Sequence, residues 1–167
     1  MSGGGVEIER KYLLQGPPPA AVLDAATAYE IDQTYLTAAT GSRRVRRRVG
    51  SDGERFWLTE KHARGGITRS EDERELSLDE YRDLLEEADP KSGTIVKMRH
   101  VIEHGTQLIE VDVFTAPAGL VLLEVELESE DEAVELPAWA AGAVDVSEDG
   151  AYTNAAIARE LGPAGDR

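Results

Sequence analysis

Residues 120–128 read Leu-Val-Leu-Leu-Glu-Val-Glu-Leu-Glu. Val121, Leu123, Val125 and Leu127 recur with period two, and the other parity carries Leu122 followed by Glu124, Glu126 and Glu128. Period two is the signature of a β-strand, whose side chains point alternately to opposite faces. One face of this strand is apolar and the other is a row of carboxylates. A solvated face usually mixes Thr, Ser, Gln and Lys. Like charges next to one another on a face repel, so something of opposite sign must stand before them.

The same alternation recurs along the chain. Val6, Ile8, Tyr12 and Leu14 alternate with Glu7, Glu9 and Lys11. Arg44, Arg46 and Arg48 share a face, as do Arg69, Glu71, Glu73 and Glu75, then Lys97 and Arg99, then Glu110 and Asp112. Strands are expected at 6–14, 33–37, 42–49, 54–62, 67–76, 94–104, 107–114 and 120–128. Asp52-Gly53 and His104-Gly105 fall where hairpin turns belong. Short helices are expected at Ala20–Tyr29 after Pro17–Pro19, at residues 77–88 with Ser77 and Glu80 as a capping box, from Ser129 and Glu132 to Pro137, and at Asn154–Leu161 before Gly162. The fold class is α+β. About eight strands suit a closed antiparallel barrel, which has no exposed edge. With its charged face inward the barrel would be an electrostatic trap, and amphipathic helices would cover the apolar outside. Residues 1–5 are expected to be a disordered N-terminus, 6–162 a single tunnel domain and 163–167 a tail.

The composition narrows the function. Lys and Arg number 18 against 33 Asp and Glu, a formal net charge of −15. That argues against a nucleic-acid duplex or an anionic membrane as partner. Arg43-Arg44-Val45-Arg46-Arg47-Arg48 reverses the charge locally, so this segment either pairs internally or meets a small anion. Cysteine is absent, which removes disulfides, thiol nucleophiles and Cys-based metal sites. No apolar run approaches the ~20 residues of a membrane span, and Met1–Gly5 lacks the features of a signal peptide, so the expected location is the cytoplasm. His100 and His104 have the spacing of two ligands on a helix, but their context is strand and hairpin. His62 reads as a rim residue, and Trp57 and Trp139 as packing residues.

These charges also follow an ordered series. Glu7-Ile8-Glu9-Arg10-Lys11 fits a Glu-x-Glu-x-Lys signature. Arg44-Val45-Arg46, Thr59-Glu60-Lys61, Arg69-Ser70-Glu71-Asp72-Glu73, Lys97-Met98-Arg99, Glu110-Val111-Asp112 and Glu124-Val125-Glu126 follow in order. The series resembles the CYTH family, also called triphosphate tunnel metalloenzymes, in its single-domain bacterial form.

The resemblance implies an eight-stranded tunnel that binds triphosphate or polyphosphate with Mg²⁺ or Mn²⁺. Activities in the family include inorganic triphosphatase, thiamine triphosphatase, class IV adenylyl cyclase and RNA triphosphatase. Carried over by position, Lys11, Arg44, Arg46, Lys61, Arg69, Lys97 and Arg99 would hold phosphate oxygens. Glu7, Glu9, Glu124 and Glu126 would hold metal, joined by Asp112, Glu71 and Glu73. Lys11, Arg46, Glu9 and Glu126 would carry the catalysis, a metal-assisted hydrolysis of a terminal phosphoryl group. One position departs: Asp149-Gly150-Ala151-Tyr152-Thr153-Asn154 has Ala151 where the family often has Arg. A class IV-type adenylyl cyclase and a non-catalytic polyphosphate-binding module stay open as alternatives, and a homodimer is compatible with the sequence.

Overall fold

The computed structural model describes residues 2–65 and 67–163, with the side chains of residues 2–5, Ala63, Arg64 and Arg69 outside that description. Among the described residues nine strands form one sheet: β1 (Ser2–Leu13), β2 (Thr27–Leu36), β3 (Ser42–Gly50), β4 (Gly53–Gly65), β5 (Thr68–Leu76), β6 (Ile95–His104), β7 (Gln107–Ala116), β8 (Ala118–Glu126) and the short β9 (Val144–Asp145). Their order is β5-β4-β3-β2-β6-β7-β8-β1-β9, every pairing is antiparallel, and β1 also pairs with β5. The first eight therefore close into a barrel. β1 makes the closure with its two halves: Ser2–Ile8 pair with β5, while Glu9–Leu13 pair with β8. Beyond Ile8, the edge of β1 that has left β5 is taken by β9 at Tyr12 and Leu13.

The apolar faces point outward and are covered. Tyr12, Ile109, Val111, Leu123 and Val125 form one buried cluster, joined by Val134, Leu136 and Trp139 from the segment after β8. Leu36, Val45, Phe56, Leu58 and Leu76 form another under helix α2 (Leu78–Leu85), which contributes Tyr81. A third lies at one end of the lumen. There Tyr35, Ile95, Phe114 and Leu122 meet Ile157 and Ala158 of helix α3 (Asn154–Leu161).

Four expectations need correction. The chain is already in β1 at Ser2, so residues 2–5 pair with Glu71–Arg74 rather than forming a tail; barrel closure supplies a partner strand that local composition does not reveal. Helix α1 stops at Ala25, and β2 starts at Thr27 instead of residue 33. Tyr29 and Ile31 alternate in a strand held by both β3 and β6, and that pairing overrides the Ala-rich propensity. No helix forms at 129–137: the Glu132 carboxylate accepts the Glu128 N–H at 2.7 Å and the Gln107 amide at 2.8 Å, leaving a turn in place of a cap. The strand β9 had no sequence signal of its own. Residues 164–167 of the expected tail lie outside the described residues. Elsewhere the reading matches: Ser77 and Glu80 make the reciprocal capping box of α2, and α3 spans Asn154–Leu161 with Gly162 at its end.

Candidate functional site

The lumen contains a cavity of about 570 Å³. A second, of about 250 Å³, lies between Ser42, Ile67 and residues 146–155, and the two share Glu9, Arg44, Lys61 and Asn154 in their walls. Strand parity sends every odd residue of β1 and every even residue of β3, β7 and β8 inward, which is why the two signs of charge meet here.

The cations are held, but incompletely. Lys11 Nζ donates to the Tyr152 carbonyl at 2.9 Å and lies 3.6 Å from Glu124. Lys61 Nζ lies 3.0 Å from Glu7 and 3.8 Å from Glu71. Arg44 donates to the Tyr35 hydroxyl at 3.4 Å, and Arg46 is 3.7 Å from Glu73. The Nε groups of Arg44, Arg46 and Arg48 are buried with no hydrogen-bond partner among the described residues. A buried donor left unmet costs about 1–3 kcal/mol, so these three favour a guest with acceptor oxygens. Burial, with Arg44 and Arg99 close by, pushes Arg46 down to about 10.

The carboxylates show the converse. Glu9 stands directly across the strands from Glu126, and Glu110 from Glu124, cross-strand pairs of like charge that destabilise a sheet. Burial and the negative charges of Glu124 and Glu7 push the Glu9 carboxyl up to about 10. Burial and a hydrogen bond with Glu7 push Glu71 up to about 8. Glu7 moves the other way: burial opposes its charge, but the hydrogen bond from Glu71 and the ammonium of Lys61 hold it well below the ordinary carboxylate range. Neighbouring carboxyls thus share protons in the absence of a cation.

This donor set fits a divalent metal. Glu7, Glu9, Glu71, Glu73, Glu110, Glu124 and Glu126 line the cavity and offer the hard oxygens that Mg²⁺ and Mn²⁺ prefer. Among the described residues no three acidic or histidine side chains already converge as a cage. That suits an ion that keeps several waters and completes its shell with substrate phosphates.

The family model of the CYTH domain matches residues 5–152. The chain belongs to the CYTH family. It is 32% identical to an inorganic triphosphatase of Nitrosomonas europaea over 158 residues, 93% of this chain and 98% of the relative. It is also 32% identical to an inorganic triphosphatase of Acetivibrio thermocellus over 136 residues, 81% of this chain and 83% of that relative. A crystal structure of an inorganic triphosphatase superposes with a TM-score of 0.59 at 30% identity, covering 92% of this chain and 94% of that one.

Within this CYTH lumen most of the residues expected from the sequence come together: Lys11, Arg44, Arg46, Lys61 and Arg99 with Glu7, Glu9, Glu71, Glu73, Glu124 and Glu126. Two do not stand where expected. Asp112 is 1% exposed, and both its oxygens are engaged, by Arg99 at 2.8 and 2.9 Å and by Lys97 at 2.8 Å. Burial opposes its charge, yet these two cations hold its carboxyl well below the ordinary range. It anchors cations instead of offering a free ligand. Lys97 lies behind the wall, fully enclosed, its Nζ 2.8 Å from Asp112 and donating to the Asn154 side-chain Oδ1 at 3.3 Å. The side chain of Arg69 lies outside the described residues. Sequence reading missed Glu110 as a donor, Asn154 and the inward-facing Tyr29 and Tyr35; Arg48 also lines the larger cavity. Strand parity marks Glu110 and Arg48 as inward, on the faces of Asp112 and Arg46. Arg10, Arg43 and Arg47, of opposite parity, pair outside with Asp145, Glu87 and Glu54.

Proposed function

We propose that this protein hydrolyses a triphosphate, inorganic tripolyphosphate before organic ones, with Mg²⁺ or Mn²⁺ as cofactor. One observation carries the reading: unmet guanidinium N–H groups and mutually repelling carboxylates line one lumen. A guest that brings phosphate oxygens and divalent cations relieves both at once. The names of the relatives, inorganic triphosphatases at 32% identity over most of the chain, support the same substrate.

Lys11, Arg44, Arg46, Lys61 and Arg99 would bind and align the phosphate chain. Arg suits the task because its planar fork holds two oxygens, whereas Lys acts as a point charge. Lys97, and Asp112 behind Arg99, position this set. Glu7, Glu9, Glu124 and Glu126, with Glu71, Glu73 and Glu110 adjacent, would hold the metal. The bound metal supplies charge neutralisation on the phosphates and a lowered pKa for the attacking water. The guanidinium groups would stabilise charge on the transferring phosphoryl oxygens, and their burial would strengthen each of these interactions.

The test is phosphate release from tripolyphosphate, ATP and thiamine triphosphate with Mg²⁺ or Mn²⁺, with cyclic AMP measured in the ATP reaction. Release from tripolyphosphate that stops in EDTA and returns with excess Mg²⁺ is expected. Full activity in EDTA would remove the metal, and cyclic AMP as main product would make the protein a cyclase. One feature favours a second reading. Ala151 is exposed beside the smaller cavity and offers no cation, so tight polyphosphate binding without turnover would identify a binding module.

A further inference from the structure

At the rim of the larger cavity, β3 sends Arg48 between two aromatic residues. Tyr29 comes from β2 on one side and Trp57 from β4 on the other. The Arg48 guanidinium carbon lies 4.3 Å from the Tyr29 ring centre and 4.9 Å from that of Trp57. Both are within the range of a stacked cation–π contact. The group is pinned from the hairpin as well, since Arg48 Nη2 is 2.6 Å from Asp52 Oδ2. Gly50 permits the arrangement: a Cβ there would stand 2.5 Å from the Tyr29 ring. Ile31, Val101 and Leu108 are the apolar members of the same, otherwise mostly charged, cavity wall.

Two aromatic rings beside a triphosphate site are what a nucleobase or another planar heterocycle would use. Base stacking on aromatic side chains is strong and tolerant of base identity. Here a planar group of the protein's own already takes that place. An inorganic phosphate chain needs no such slot and loses nothing by its being filled.

We infer that Arg48 is a specificity-determining residue: by occupying the Tyr29–Trp57 slot it disfavours organic triphosphates relative to inorganic ones. The inference rests on the triphosphate reading of the lumen and deepens it. A mere charge effect makes a different prediction, because Arg48→Lys keeps the charge and loses the plane.

The experiment measures binding, so it does not depend on turnover. Dissociation constants with Mg²⁺ are determined for the imido analogue of tripolyphosphate and for adenosine 5′-(β,γ-imido)triphosphate, using wild type, Arg48→Lys and Arg48→Ala. Tryptophan fluorescence is recorded in parallel, with Trp57→Phe in each background to subtract Trp139. Both Arg48 variants should shift the affinity ratio toward the nucleotide by about tenfold. Both should also show nucleotide quenching of Trp57 that wild type lacks. If Arg48→Ala fails to fold, Arg48→Lys carries the test alone. An unchanged ratio in Arg48→Lys overturns the inference, as does wild-type binding of the two analogues with equal affinity. Failure of wild type to bind or hydrolyse tripolyphosphate sinks the proposed function instead, and that is read from the inorganic arm alone.

Discussion

Lys11 and Glu126 illustrate how far a single residue's role can be argued from where its strand puts it. Lys11 is buried, tied to Tyr152 and Glu124, and lines the smaller cavity; Glu126 is exposed to the larger one. Neither belongs to an apolar cluster. Lys11→Ala and Glu126→Ala should each lower turnover at least tenfold with circular dichroism unchanged, because losing one group that meets transition-state charge costs about 3–4 kcal/mol. Wild-type rates in both would clear them from the site. Asp112 should behave differently. Removing its charge leaves Lys97 and Arg99 buried without their counterion, so Asp112→Asn should cost about 3–5 kcal/mol in urea unfolding. A ligand would instead lose Mg²⁺ affinity while keeping its stability in EDTA. The inward parity of Asp112 was legible in the sequence. Its capture by Arg99 was not, because that depends on the register placing residue 99 opposite residue 112.

At the scale of elements, the legible parts are those with a local cause. The capping box of α2 is one: Ser77 Oγ accepts the Glu80 N–H at 3.1 Å, and the Glu80 carboxylate accepts the Ser77 N–H at 3.1 Å. Ser77→Ala should therefore cost about 1 kcal/mol, seen as a lower urea midpoint with an unchanged slope. Lost midpoint without loss of the helix's packing on Phe56 would locate the effect in the cap. The charged strands were legible because one parity is charged without a break at Arg44, Arg46 and Arg48 and at Glu124, Glu126 and Glu128. The start of β2 was not. Ala25–Tyr29 carries no decisive period, and only its two neighbours β3 and β6 settle it as strand. The Ser129–Glu132 pair likewise matched a cap by spacing, but Glu132 found the Gln107 amide on another element.

For the whole molecule, the balance of charge decides how folding couples to metal. The cavity walls carry about as many carboxylates as cations, so most of the net charge of −15 lies on the outside. The strain inside is local: like charges share strands, and Glu9 and Glu71 relieve it by keeping protons that free carboxyls would lose. A carboxyl whose folded pKa is raised stabilises the fold fully below its unfolded pKa, and that stability is lost as pH climbs toward the folded value. For Glu9 the interval runs from the ordinary 4.5 to about 10, and for Glu71 from 4.5 to about 8. Lys97, depressed by burial to about 8 from 10.5, contributes the opposite slope only above about 8. His100, pushed down by burial, contributes the opposite slope below its ordinary 6.5, so the loss of thermal stability in EDTA should be clearest between about pH 6.5 and 8. A divalent metal held by these carboxylates would take the place of those protons, so its binding should release them and strengthen with pH. The difference in Tm between Mg²⁺ and EDTA should widen from pH 5.5 to pH 8, and calorimetry in buffers of different ionisation enthalpy should register proton release. A Tm difference independent of pH would mean that the carboxylates of the lumen are ionised before the metal arrives, and the crowding of like charge between β1 and β8 would then have no part in how the metal is held.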